Sequence, residues 1–96
     1  MRDRDKMELY IQKEDIQDFQ EFLYEREYST ATISKYLTDV HTFLKFAKGK
    51  DVIEKSLLLR YKEWLMQNYA VSSVNSMLVS LNQLLEYLGG GFLKLK

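Results

Sequence analysis

The side chains of this 96-residue chain that could do chemistry are mostly hydroxyls, amides and lysines. Cysteine is absent, which excludes disulfides and thiolate metal sites. The single histidine, His41, stands on the flank of a helical stretch and reads as a surface residue, with a phosphate contact as the minor alternative. Seven tyrosines are present, and Tyr36, Tyr61 and Tyr87 sit at helical spacing among apolar residues. None has the basic neighbours that would activate a phenol as a nucleophile. Arg2, Arg4, Arg26 and Arg60 are scattered over different segments. What remains is a pair of polar faces. In "EYSTATISKYLTDVHTFLKF" (27–46), Ser34, Thr38 and Lys45 lie opposite the apolar stripe, flanked by Lys35 and Thr42. In a later stretch Asn75, Asn82 and Gln83 face outward, with Ser76 and Ser80 at the margin. A solvated helix usually interleaves Glu with Lys, whereas the outward face of the first of these stretches has hydroxyls and lysines with only Asp39 at its edge. Short hydroxyl and amide side chains donate to phosphate oxygens and base edges.

Four helices are needed to hold these faces. Apolar periodicity predicts the first over about 13–26, with Ile16, Phe19, Phe22 and Leu23 on one stripe. Ser29 or Thr30 is the expected N-cap of the second, which ends near Lys48 with Gly49 as a left-handed C′ residue. "KDVIEKS" reads as a connector or a slow helix start. The third covers about 54–69 and buries Leu57, Leu58, Tyr61, Trp64 and Leu65. Ser72 or Ser73 is the expected cap of the fourth, which buries Val74, Met77, Leu78, Leu81, Leu84, Leu85 and Leu88 and stops at Gly89–Gly91. The second and fourth align at an offset of 41, so that Tyr28 matches Tyr69, Ile33 matches Val74 and Leu37 matches Leu78. Either a repeat or two ordinary capped amphipathic helices would give that match. The fold class is all-α, a four-to-five-helix bundle of two helical hairpins around one core. The absence of proline agrees with it.

A chain of this length makes one domain with one modest core. Its 46% hydrophobic and 14% aromatic content excludes a disordered segment. No apolar run approaches the roughly 20 residues of a membrane span, so no membrane partner is expected. "MRDRDKMELY" lacks the apolar core of a signal peptide, which gives a cytoplasmic expectation. The formal net charge of zero argues against a protein that coats nucleic acid. The distribution is uneven, however. Residues 14–27 carry six carboxylates against Arg26, while 30–48 carry three lysines against Asp39.

The ordered motifs resemble the N-terminal core-binding, SAM-like domain of tyrosine recombinases and phage integrases. That family shows T-I-x-x-Y-x-x-D-L-x-x-F-x-x-F on its second helix. Here Thr32, Ile33, Tyr36, Asp39, Val40, Phe43 and Phe46 match it, preceded by Ser29. Phe19, Phe22 and Leu23 match its first helix, and Tyr61, Trp64 and Leu65 its third. Ser72, Ser73, Leu78, Leu81, Tyr87 and Leu88 match its fourth. The resemblance covers about 12–89 and implies a module that clamps double-stranded DNA for site-specific recombination or integration. It implies DNA contacts from Thr30, Thr32, Ser34, Lys35, Thr38 and Lys45, and from Ser72, Ser73, Asn75, Ser76 and Asn82. Family members usually carry Arg or Lys at several helix-four positions where this chain has Ser76, Asn82 and Glu86, so the DNA face is short of charge.

The family's catalytic arginines, histidines, lysine and tyrosine belong to a C-terminal domain, and this chain has no H-x-x-R. The expectation is therefore a non-catalytic chain with no cofactor and no metal, of bacterial or phage origin. Its partners would be DNA, its own catalytic domain and other recombinase protomers. Residues 1–12 would be an N-terminal extension, 13–89 the core-binding domain and 90–96 the start of a linker, with "GGGFLKLK" as a hinge or a frayed tail. The alternative is a helical domain for protein–protein association, using the acidic first helix or an exposed aromatic patch.

Overall fold

The computed structural model describes residues 8–48 and 52–95, and carries β1 (Glu8–Tyr10), α1 (Lys13–Glu25), α2 (Thr30–Ala47), β2 (Val52–Glu54), α3 (Lys55–Asn68) and α4 (Val71–Tyr87), then a 3-10 turn at Gly91–Leu93. The architecture is all-α apart from β1 and β2, which pair antiparallel with Leu9 opposite Ile53. The first seven residues of the expected extension, the expected C′ residue Gly49 and the tail's Lys96 lie outside the described residues.

The helix limits follow from local chemistry. Asp15 accepts from the Gln12 backbone N–H at 2.7 Å, closing the start of α1. Ser29 caps α2 as expected, its hydroxyl accepting from the Thr32 N–H at 3.2 Å. Lys48 itself takes the left-handed conformation at the end of α2, with φ 55°. At the end of α4 the Gly89 N–H donates to the Glu86 carbonyl and the Gly90 N–H to the Leu85 carbonyl, with Gly89 at φ 84°. These two bonds form the paired C-terminal closure that glycine favours.

The start of α4 corrects the sequence reading. Ala70, not Ser72 or Ser73, is the N-cap, and no side chain caps the helix. Tyr69 and Ala70 are extended and join α3 to α4 directly. With no glycine or proline to delay it, the helix begins at once, and both serines fall inside its first turn with their hydroxyls uncommitted.

The core is continuous across both hairpins. Phe19 and Leu23 of α1, Val40 and Phe43 of α2, Leu58, Tyr61 and Leu65 of α3, and Leu81, Leu84 and Leu85 of α4 are all buried. α2 packs more extensively on α4 than any other pair of elements pack together. Two segments expected at the periphery also join the core. Ile11 next to the small sheet and Ile53 within it are buried, and Leu93 and Leu95 are buried in the stretch expected to begin a linker. Three-residue strands are too short to show an alternating pattern, which is why the sequence hid them.

Candidate functional site

Most of the expected contact residues fall into two groups in space. Lys35 and Thr38 of α2 and Ser72, Ser73 and Ser76 of α4 line one open groove of about 390 Å³ between the two helices. Thr42, Tyr69, Met77 and Asp39 complete its lining. Thr38 and Thr42 lead into a second open hollow along α2, lined also by His41, Leu44 and Lys45. Lys45 makes no ion pair or hydrogen bond with the described residues. Ser72 and Ser73 stand in the first turn of α4, where backbone N–H groups have no carbonyl one turn back to bond. Such N–H groups suit an anion.

The second group sits at the start of α2. Thr30 is exposed, Thr32 hydrogen-bonds Ser29 through both its N–H and its hydroxyl, and Ser34 is exposed one turn before Thr38. The remaining two, Asn75 and Asn82, lie apart from these and from each other. Asn75 faces the α3 side of α4, in a 270 Å³ groove with Met66, Tyr69 and Val71. Asn82 is committed to the tail: its amide donates to the Leu95 carbonyl at 2.8 Å and accepts from the Leu95 N–H at 2.9 Å. Amide residues on one helical face therefore divide between a groove and a backbone clamp, which composition alone does not distinguish.

Asp39 is the residue that sequence reasoning misplaced. Its angle on the helix puts it at the edge of the outward face, but it is buried, 6% exposed, at the floor of the groove. Its Oδ2 accepts from the fully buried Ser80 hydroxyl at 2.6 Å and pairs with the Lys35 ammonium. Asp39 and Ser80 are equivalent positions in the offset-41 alignment. The signal was present, since a lone carboxylate beside an apolar stripe, matched to a serine on a similar helix, is what a buried polar pair requires.

The Tyr61, Tyr36 and Tyr87 phenols are each pushed above the ordinary tyrosine range. Burial, then the charge of Asp39 and the neighbouring Tyr69, push the Tyr61 hydroxyl well above the usual tyrosine range. That hydroxyl is buried without a hydrogen-bond partner. Burial and then the Tyr28 phenol raise Tyr36. Burial, then Asp18, Asp15, Glu21 and Glu25, raise Tyr87. These shifts run against nucleophilic activation.

They also locate the negative charge. The α1 carboxylates act on Tyr87, at the opposite end of α4 from Ser72, about 22 Å away at roughly 1.5 Å per residue. Among the described residues no group of three or more His, Cys, Asp or Glu could hold a metal ion, and no helix is long and apolar enough to cross a membrane. The family model described as phage integrase, N-terminal SAM-like domain, matches residues 16–89. Neither the curated proteins nor the solved structures contain a match.

Proposed function

The chain belongs to the phage integrase N-terminal SAM-like domain family, and on that premise we propose that it is a DNA-binding module of a tyrosine recombinase, one that clamps duplex DNA without cutting it. The observation that carries this reading is the α2–α4 groove. It gathers hydroxyls of two helices and the free first turn of α4, at the end of α4 opposite Tyr87, where the α1 carboxylates act. Phosphate is repelled at one end and offered N–H and O–H donors at the other. Lys45, and Lys48 one turn on, supply the unpaired charge along α2. Two such cations give a salt slope of about −2 in log K against log salt, and binding on the order of micromolar or weaker at physiological salt.

The chemistry of recombination falls to a catalytic domain that the chain would partner. Its Tyr36, Tyr61 and Tyr87 phenols are raised rather than activated. An NMR titration with duplex DNA tests the placement. Shifts are expected at residues 35–45 and 72–76; shifts confined to 14–27 overturn the reading. On a nicked suicide substrate no covalent phosphotyrosyl adduct is expected, and recovering one would reverse the non-catalytic assignment.

One observation favours association as a second reading. Met66 and Val71, 62% and 76% exposed, meet Tyr69 on the α3–α4 side and offer apolar surface. Sedimentation showing a concentration-dependent dimer, together with no duplex binding at low salt, would favour it.

A further inference from the structure

The groove contains its own anion. Lys35, the cation that lines the groove with the hydroxyls of α4, has its side chain about half exposed and its ammonium paired to Asp39. Asp39 in turn accepts from Ser80, whose hydroxyl lies beneath all solvent and is also within reach of the Ser76 carbonyl at 3.3 Å. One carboxylate oxygen thus holds both α4 and the lysine. A phosphate arriving at Lys35 meets an ammonium that already has a counter-ion, whereas at Lys45 it meets a free one.

We propose that Asp39 is an internal counter-ion that competes with nucleic-acid phosphate for Lys35, and that Ser80 sets the strength of that competition. The inference rests on the reading of the groove as a DNA surface. Drawing Lys35 away leaves a buried carboxylate with a single hydroxyl donor, and a buried charge that loses its partner is costly. A phosphate loosely attracted to the surface cannot offset that loss. A phosphate seated in the groove gains the Thr38, Ser72 and Ser73 donors at the same time, and can. Asp39 therefore lowers affinity for diffusely bound polyanion and reserves Lys35 for a duplex lying in register along α2 and α4. Ser80 strengthens the phosphate's side of the contest, because its hydroxyl steadies the carboxylate that Lys35 leaves behind.

Fluorescence anisotropy with a labelled duplex over a salt series tests this in the wild type, Asp39→Asn, Ser80→Ala and Lys35→Ala, and in the two doubles that add Lys35→Ala. Asn can still accept from Ser80 while releasing Lys35. In the wild type the Lys35–Asp39 pair is net neutral, so exchanging one anion for another adds nothing to the slope; Asp39→Asn makes the site a net cation and is expected to steepen the salt slope by about 0.9, an extra gain of about eightfold over the wild type for each tenfold dilution of salt. Ser80→Ala is expected to weaken binding on the order of threefold, although Ser80 cannot touch DNA, because Asp39 then relies on Lys35 more heavily. Both differences should vanish in the Lys35→Ala background.

An unchanged slope in folded Asp39→Asn, or a Ser80→Ala effect that persists without Lys35, overturns the proposal. If Asp39→Asn does not fold, the Ser80→Ala pair decides alone. A urea-unfolding cycle over Lys35→Ala and Ser80→Ala separates the two ways of failing. DNA binding with no Lys35–Ser80 coupling removes the counter-ion role and leaves the DNA surface standing. Coupling with no duplex binding by any variant removes the DNA surface and the competition with it.

Discussion

The two halves of α4 carry similar side chains and do opposite things with them. In the first half Ser72, Ser73 and Ser76 open into the groove against α2, and none of their hydroxyls makes a hydrogen bond with the described residues. In the second half Asn82 closes on the Leu95 backbone from both sides, Glu86 pairs with Lys94 at 2.5 Å, and Tyr87 lies among the α1 carboxylates. The difference comes from what the rest of the chain lays across each half. The tail returns over the C-terminal half and consumes its polar groups, while nothing described crosses the N-terminal half. A polar helix face is available for binding only where the fold leaves it uncovered.

The sharpest way to break this comparison is to cut the clamp. Asn82→Ala removes both bonds to Leu95 and leaves that half-buried backbone unpaired, so a loss of about 2 kcal/mol in urea unfolding is expected, with duplex affinity per folded molecule little changed. A large loss of affinity at full folding would return Asn82 to the contact surface. Next in size, Lys45→Glu at the uncovered end should weaken duplex binding about tenfold at low salt, by reversing an unpaired charge near phosphate, and leave the unfolding midpoint within error. Equal binding would remove the α2 hollow from the interface.

Tyr61→Phe tests the interior between the two halves. Its hydroxyl is buried and unpartnered, so its removal should stabilise the fold by up to about 1 kcal/mol. The same residue sets an alkaline limit. Its folded pKa lies above the unfolded value near 10, so its contribution is complete below about pH 10 and is lost as pH rises from there toward the folded value. Tyrosinate absorbance followed beside circular dichroism should show unfolding accompanying ionisation, at higher pH in Tyr61→Phe. Smallest of all, Ser72→Ala should shift stability by no more than about 0.5 kcal/mol, since the hydroxyl caps nothing and Ala is the better helix former.

Much of this was legible in the chain. The four helices, the Ser29 cap and the apolar stripes of α2 and α4 all follow from spacing and local hydrogen-bond chemistry. So does the polarisation of charge between the acidic α1 and the lysines of α2. What was illegible required contacts between distant residues. Asp39 could be put at a helix margin from its angle, but only the packing of α2 on α4 carries it inward to Ser80. Asn82 and Asn75 resemble each other in sequence, and only the returning tail separates them. Ser72 and Ser73 are good caps by type, yet the two-residue joint after Asn68 starts α4 too early for either to serve.

Gly90 has a consequence in time as well as in space. A Cβ on it would come within 2.6 Å of a Leu9 methyl, so the N-terminal strand lies directly on the turn that ends α4. The helical hairpins are built from neighbours along the chain and can form early. The meeting of Leu9 with Gly90 joins opposite ends of the sequence and can be made only after those hairpins have docked. Contacts absent from the transition state govern how fast a protein comes apart rather than how fast it folds. Gly90→Ala should therefore leave the refolding arm of a stopped-flow chevron in place and raise the unfolding arm slightly, because the methyl it meets is the far end of a flexible leucine.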